Sequence, residues 1–566
     1  MRCPIVAFLL TLTPFVSTAQ DQWVGKSVFV KPTAEAKVDE TTVDSTAIPF
    51  PAIVVEEKGE KLLLGNAWVR KSDVMLAEEA LKFYSEQTTK EPTKPMPWMH
   101  RGLIFQDKRD FDGAIKDFSE AIKLDPKLAN AYSARAMVWQ AKGELGRAIK
   151  DFSETIKLHP KDPLGYVWRG NACYSKGEMD EAIKDHDEAI KLNPKYAFAH
   201  IARAAAWNAK RDFDKAIKDY STAIKLDPTD AHAYSGRAVA WHAKGELDEA
   251  IKDHSEAIRL DPKNPEAYVR RGSARHAKGE FDHAIKDYTE AIRLNPTVVT
   301  NYYNRASAYA HKGEYDQAIS DYSETVRLDP KFAYAFAARG FVWQAKGDLE
   351  QAIKDYDQAI ALDPNDADAY LKRGNVWNAK AEFDLALKDY AEAIRIEPAN
   401  AFYHYNRGIT WSSKGNFDEA IKAQSDAIQI DPKLVHAYAA RGFARQSKNE
   451  FDNALKDFNE AIKIDPTEAM AFNSIAWLKA TCPEQSVRDG ESAVKYATTA
   501  CELTKWKSYH ELSTLAAAYA EAGNFPNAIK WQEKAVDHAA EKDKMEAKEH
   551  LALYRSNKPY RDVLRK

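Results

Sequence analysis

The chain has 566 residues, 45 % hydrophobic and 29 % charged, with a formal net charge of −4. Interspersed charges at near-neutral balance describe a soluble protein and exclude the marked basic excess of a nucleic-acid footprint. Length alone predicts about four conventional domains, unless the chain grows by stacking repeated units, which needs no large central core.

Residues 1–19 carry one basic residue, Arg2, then the apolar run Ile5–Leu12, and end in Ser17-Thr18-Ala19 with small residues at the last and third-last places. That pattern predicts a signal peptide cleaved before Gln20 and an exported protein, whether periplasmic, in the cell envelope or secreted. Pro4 and Pro14 bracket a run too short to span a bilayer, so no membrane insertion is expected. Between Trp23 and about Asp73, β-branched and leucine runs take over: Val28-Phe29-Val30, Ile53-Val54-Val55, Leu62-Leu63-Leu64 and Trp68-Val69. Pro49, Pro51, Gly59 and Gly65 supply turns, so 20–75 reads as a small β domain. Its end, GNAWVRKSDV, resembles the close of a bacterial SH3-like barrel. The unit either binds something, such as a cell-wall glycan, or covers the open end of the helical stack that follows.

A helix over Ala77–Thr89, within 76–94, has Ala80 and Tyr84 where a second repeat helix would carry them. The repeat itself is announced by proline. Pro92, Pro126, Pro160, Pro194, Pro228, Pro262, Pro296, Pro330, Pro364, Pro398, Pro432 and Pro466 all stand 34 residues apart. With proline as position 32, eleven regular repeats cover 95–468, each predicted as helix A over positions 1–14 and helix B over about 18–30. In the first repeat Trp98, Gly102, Phe105, Phe111, Ala114, Phe118 and Ala121 hold positions 4, 8, 11, 17, 20, 24 and 27. This resembles the tetratricopeptide repeat (TPR). The resemblance implies an all-α fold, a right-handed superhelical TPR solenoid, here preceded by the small SH3-like β domain. A variant repeat follows at 469–508 with five extra residues in the turn around Thr481–Glu491, then a thirteenth repeat at 509–542 and a charged cap at 543–566.

Charges punctuate the helices. Position 18 is Asp in most repeats (Asp112, Asp180, Asp214, Asp248, Asp282, Asp316), where it can cap helix B, and position 14 is Lys in all eleven, matching the negative end of helix A. Position 7 is Arg in every regular repeat, on the packed face with positions 4, 8 and 11, and needs a partner there. The chain's own exceptions name it. In the two aberrant repeats Ile475 faces Tyr496 and Leu515 faces Trp531, so Arg at 7 and Asp at 23 vanish together within one repeat. An intra-repeat ladder of ion pairs is expected, structural in role.

No nucleophile elbow, phosphate-cradling glycine loop, HExxH or paired Cys-x-x-Cys occurs, so neither enzyme activity nor a cofactor is expected. Cys482 and Cys501 sit near opposite ends of one helix, some ~15 Å apart by helix rise and beyond disulfide reach unless the inserted turn alters their approach. His242 and His276, at position 12 of successive repeats, with His311 nearby, lack the clustered acids or thiols of a metal site. Across the repeats positions 2, 5, 9 and 12 vary freely and share the helix A face opposite the packed one, which the resemblance places on the concave side. There Asn171, Asn208, Gln344, Asn375 and Asn378 offer amides, Tyr174 and Tyr303 rings, His242 and His276 imidazoles, and Met137 and Phe341 apolar contact. Amides can bind the backbone of an extended chain through donors and acceptors alike. The expected function is a non-enzymatic scaffold for a protein or peptide partner. Position 5 is never Lys, so the carboxylate clamp of chaperone-binding TPRs is missing.

Overall fold

The computed structural model describes residues 25–31, 35–38, 41–44, 51–65 and 67–562; the expected signal peptide lies outside them. The chain divides into two compact units, up to Leu294 and from Asn295. The first opens with seven short strands: β1 (Ser27–Val30), β2 (Glu35–Val38), β3 (Thr41–Asp44), β4 (Ala52–Lys58), β5 (Lys61–Leu64), β6 (Ala67–Arg70) and β7 (Val74–Met75). They form one antiparallel sheet in the order β3-β2-β6-β5-β4-β1-β7. The apolar runs became β1, β4, β5 and β6. By contrast β2 and β3 read EAKV and TTVD, too polar to announce themselves. Val28, Val30, Val54, Leu62, Leu64 and Val69 fill the core on one side of the alternation. Phe29 and Met75 face the other way, onto Ala80 and Tyr84 of the helix Ala77–Lys90 and Ile104 of repeat 1. The sheet therefore covers the first hydrophobic face of the helical stack.

Each repeat is a helical hairpin. Helix A starts at position 1 and helix B spans 17–30, as in Pro95–Asp107 with Phe111–Leu124, or Ala333–Lys346 with Leu349–Leu362 in the second unit. Helix A ends because position 15 is left-handed in all eleven repeats, with φ from 59° to 92°. Glycine supplies that conformation in seven; Arg109, Arg211, Ala381 and Asn449 hold it elsewhere. The ring at position 24 seats on position 8 of helix A. A Cβ added to Gly102 would stand 2.6 Å from Phe118, so this close approach needs the small residue. Burying each such ring contributes roughly 2 kcal/mol.

Position 18 does not cap helix B. Where a side chain caps it, the residue is at position 16: Asp110, Asp212, Asp348 and Asn416 accept from the backbone three residues on. Position 18 instead reaches forward to position 14 of the next repeat, with Lys142–Asp112 at 2.6 Å, Lys244–Asp214 at 2.5 Å and Lys414–Asp384 at 2.5 Å. In repeat 2, Gly146 breaks this row, and Lys176 turns to Glu178 at 2.6 Å. The physical reason is register: helix B starts one residue earlier than its charge pattern suggests, which moves position 18 past the cap and out over the neighbour.

The second unit closes with the variant repeat (Ala469–Thr481, Gly490–Leu503), the thirteenth repeat (Tyr509–Glu521, Phe525–His538) and a capping helix, Lys544–Arg555. Trp506 stacks on Trp531 at 5.0 Å where the charged pair is missing. Cys173, Cys482 and Cys501 are free and buried. Burial pushes the Cys173 and Cys501 thiols up to about 11 and about 12, which keeps them protonated and inert.

Candidate functional site

The arginine row is fully committed to structure. Arg237 Nε donates to Asp253 Oδ2 at 2.7 Å and Nη2 to Oδ1 at 2.8 Å, a bidentate pair within one repeat. Its Nη1 donates to Ser221 Oγ on helix B of the preceding repeat at 2.9 Å, and the guanidinium lies over Tyr234, 5.8 Å from the ring centre. Position 7 thus joins three helices. The intra-repeat pair recurs from Arg101–Asp117 to Arg441–Asp457 except at Arg407, which faces Ala423. Arg203 and Arg373 reach back to Asp187 and Asp357, and Arg101 to Thr88, where Arg135, Arg169, Arg271, Arg339 and Arg441 reach serine. Among the described residues this leaves no row of free arginine donors for phosphates; within the position 7 row, Arg407 Nε alone is buried without a partner.

The variable helix A positions separate into two groups. Position 12 is half-buried between helices, and its amides have internal partners. Gln344 Oε1 accepts from Tyr356 Oη at 3.3 Å, and Asn378 Oδ1 accepts from Thr410 Oγ1 of the next repeat at 3.1 Å. Asn208 Nδ2 donates to the Gly236 carbonyl of the next repeat at 3.4 Å. At position 9, Asn375 Oδ1 accepts from the buried Tyr390 hydroxyl at 2.8 Å, while Asn171 is half-buried. Tyr174 packs against Cys173 and Ala206, and Tyr303 meets Tyr322 and Phe332 at 5.4 and 5.3 Å. His276 sits edge-on to Phe281 at 5.3 Å. Burial, with the Arg270 guanidinium adding, holds the His242 ring below the ordinary imidazole range. These side chains tie rings and repeats together, each within its own unit.

Open to solvent, instead, are large apolar residues at positions 2 and 9. In the second unit these are Tyr334, Phe341, Phe402, Phe443 and Met470, with Tyr334, Phe341 and Phe402 at 64 %, 54 % and 56 % exposure. In the first unit Met96 and Leu164, both at position 2, are also exposed. Positions 2 and 9 lie seven residues apart, two turns along one stripe of helix A. The signal was present in the sequence, since bulky rings stood at positions that vary freely. It was outweighed by amides whose partners, Tyr356, Tyr390 and Thr410, are visible only in three dimensions.

Comparison with known proteins agrees with this architecture. Models described as "TPR repeat" match 208–245, 240–279, 272–313 and 344–377, and models described as "Tetratricopeptide repeat" match 99–163, 163–196, 301–332, 379–435 and 435–468. No curated protein matches the chain. Among solved structures, yeast Tom70 is 19 % identical with a TM-score of 0.37, over 76 % of this chain and 96 % of that one. MamA is 27 % identical with a TM-score of 0.28, over 29 % of this chain and 96 % of its own. YrrB, described as a TPR protein with an unusual peptide-binding site, is 24 % identical with a TM-score of 0.30, over 33 % of this chain and 97 % of its own. With the family models together matching more than half of its residues, this chain belongs to the tetratricopeptide repeat family.

Proposed function

We propose that the protein is an exported, non-enzymatic scaffold whose helix A face captures an extended segment of a protein partner. The observation that carries this reading is the stripe of exposed rings at positions 2 and 9, since large apolar side chains gathered on one variable face mark a surface meant to be covered. Tyr334, Phe341 and Phe402 supply apolar area, and rigid aromatic side chains are the usual anchors of such contacts. Replacing Tyr334, Phe341 and Phe402 together by Ser tests this reading. Capture of partner from an envelope extract is expected to fall at least tenfold, with helical content and melting little changed. Lys354 and Lys388, exposed on helix B, changed together to Gln should leave capture intact. The opposite result, with capture lost in the lysine set and kept in the ring set, places the partner on helix B. Export is tested separately: sequencing the mature N-terminus is expected to return Gln20, and a start at Met1 overturns it.

A further inference from the structure

Beyond the capping helix, the chain folds back into its own unit. Asn557, at φ 53°, turns it out of the helix, and residues 558–562 run without regular structure along the helix A ends of the variant and thirteenth repeats. Tyr560 enters an aromatic slot, its ring 5.7 Å from that of Trp477 and 4.1 Å from that of His550. Arg561 Nη2 pairs with Glu521 Oε2 at 2.6 Å. Asp562 is held twice: its N–H donates to the Thr481 carbonyl at 2.9 Å, and its Oδ2 accepts from Trp477 Nε1 at 3.2 Å. An aromatic slot, a carboxylate for arginine, an indole donor for a carboxylate and a main-chain hydrogen bond are the parts of a peptide-binding site.

The site is larger than its occupant. A cleft of about 360 Å³ continues from Trp477 and His550 past Asn473 and Tyr509 to the exposed Met470 and Phe443. Asn473 Oδ1, buried in its wall, has no hydrogen-bond partner. The tail therefore fills one end of a groove whose other end belongs to the apolar stripe.

We propose that residues 558–562 are the resident ligand of a peptide site, and that the partner is an extended segment of the same aromatic–arginine–carboxylate chemistry, which displaces them. This rests on the helix A reading above. The tail's ion pair and ring contacts are partly exposed and individually weak, so tethering does much of the holding. A short tether gives an effective concentration on the order of 1 mM, and a free peptide binding at ~100 µM would then be disfavoured about tenfold by the intact tail.

The test uses a labelled synthetic peptide of residues 556–566, SNKPYRDVLRK, read by fluorescence polarisation against the full chain and a chain ending at Arg555. The shortened chain is expected to bind it about tenfold more tightly. Replacing the tyrosine or the aspartate of the peptide by alanine should weaken binding at least fivefold, and a scrambled peptide should not bind. Should the shortened chain fail to fold, the full chain carrying Tyr560→Ala and Asp562→Ala takes its place, with the same gain expected. No gain over the full chain, or equal binding of the scrambled peptide, overturns the proposal. The probe is the chain's own sequence and its seat is Trp477, so this outcome is read independently of partner capture through Phe341 and Phe402.

Discussion

Arg407 meets Ala423 where the other regular repeats present aspartate, and its Nη2 turns aside to Asp426 Oδ2 at 3.1 Å. Its Nε is buried without a hydrogen-bond partner. Ala423→Asp should rebuild the bidentate pair seen between Arg441 and Asp457 and satisfy that nitrogen. A gain of about 1.5–3 kcal/mol is expected, the range for hydrogen bonds to charged groups. Urea unfolding of the variant checks it; a lower midpoint than that of the parent rules the rebuilt pair out.

The converse experiment removes an existing pair. Arg237→Leu strands Asp253, which is only 3 % exposed, and is expected to destabilise by roughly 2–4 kcal/mol, below the fully buried limit because the arginine is partly solvated. Arg237→Leu with Asp253→Tyr copies the Leu515 and Trp531 arrangement and should recover much of the loss. A double variant melting no higher than the single one shows that the charge on Asp253 is not what was stranded.

That ladder was legible because the chain contains its own controls: the aberrant repeats delete Arg and Asp together, which assigns each pair to one repeat. The repeat length and both helices of each hairpin were legible for the same reason, since position 32 proline and the small residue at 8 recur on a fixed period. Position 18 was misread because capping depends on a single residue of helix phase, and Asp112 pairs with Lys142 of the next repeat. Strands β2 and β3 escaped notice because each is only four residues long, Glu35–Val38 alternating with no apolar residue larger than Val38 and Thr41–Asp44 carrying only Val43. The amides of Gln344 and Asn375 looked like ligands for a partner backbone because nothing in one dimension says that Tyr356 and Tyr390 reach them first.

Position 15 offers a stabilising change. Ala381 has φ 59°, a conformation that costs a side chain about 1 kcal/mol and glycine almost nothing. Ala381→Gly should therefore stabilise by roughly 0.5 kcal/mol after the added freedom of the unfolded chain is subtracted. Gly245→Ala, at φ 84°, should destabilise by about 1 kcal/mol. Both are read by thermal melting, and equal signs for the two changes would show that backbone strain is not deciding the outcome.

Two histidines at position 24 should make the fold sensitive to acid. His186 and His254 stand there, buried, with both ring nitrogens of each unpartnered. Burial, with Arg203 adding for His186 and Arg270 for His254, lowers the rings from 6.5 to about 4 and about 3. A base whose folded value is depressed binds protons more readily when unfolded, so the stability it permits is complete above pH 6.5 and declines as pH falls towards the folded value. Between pH 7 and pH 5 each histidine should cost roughly 2 kcal/mol. His186→Tyr with His254→Tyr, matching Tyr220 and Tyr322, should flatten the dependence of the melting temperature on pH over that range. An unchanged slope would mean that both rings escape to water before they are protonated.

Because position 7 guanidinia such as those of Arg237, Arg339, Arg373 and Arg441 also grip helix B of the repeat before them, the cation that completes one hairpin also fastens it to its neighbour. The exception again is Arg407, whose preceding repeat offers Ala391 where serine, threonine or aspartate stands elsewhere, so the rivet between the ninth and tenth repeats is missing. Lys414–Asp384 and Thr410–Asn378 still cross that junction, the first of them largely exposed. Under mechanical load the second unit is thus built to part at residues 400–401 before it parts anywhere along the fully riveted repeats on either side, and a force-extension trace that lengthens first by the two hairpins flanking that joint would register this seam directly.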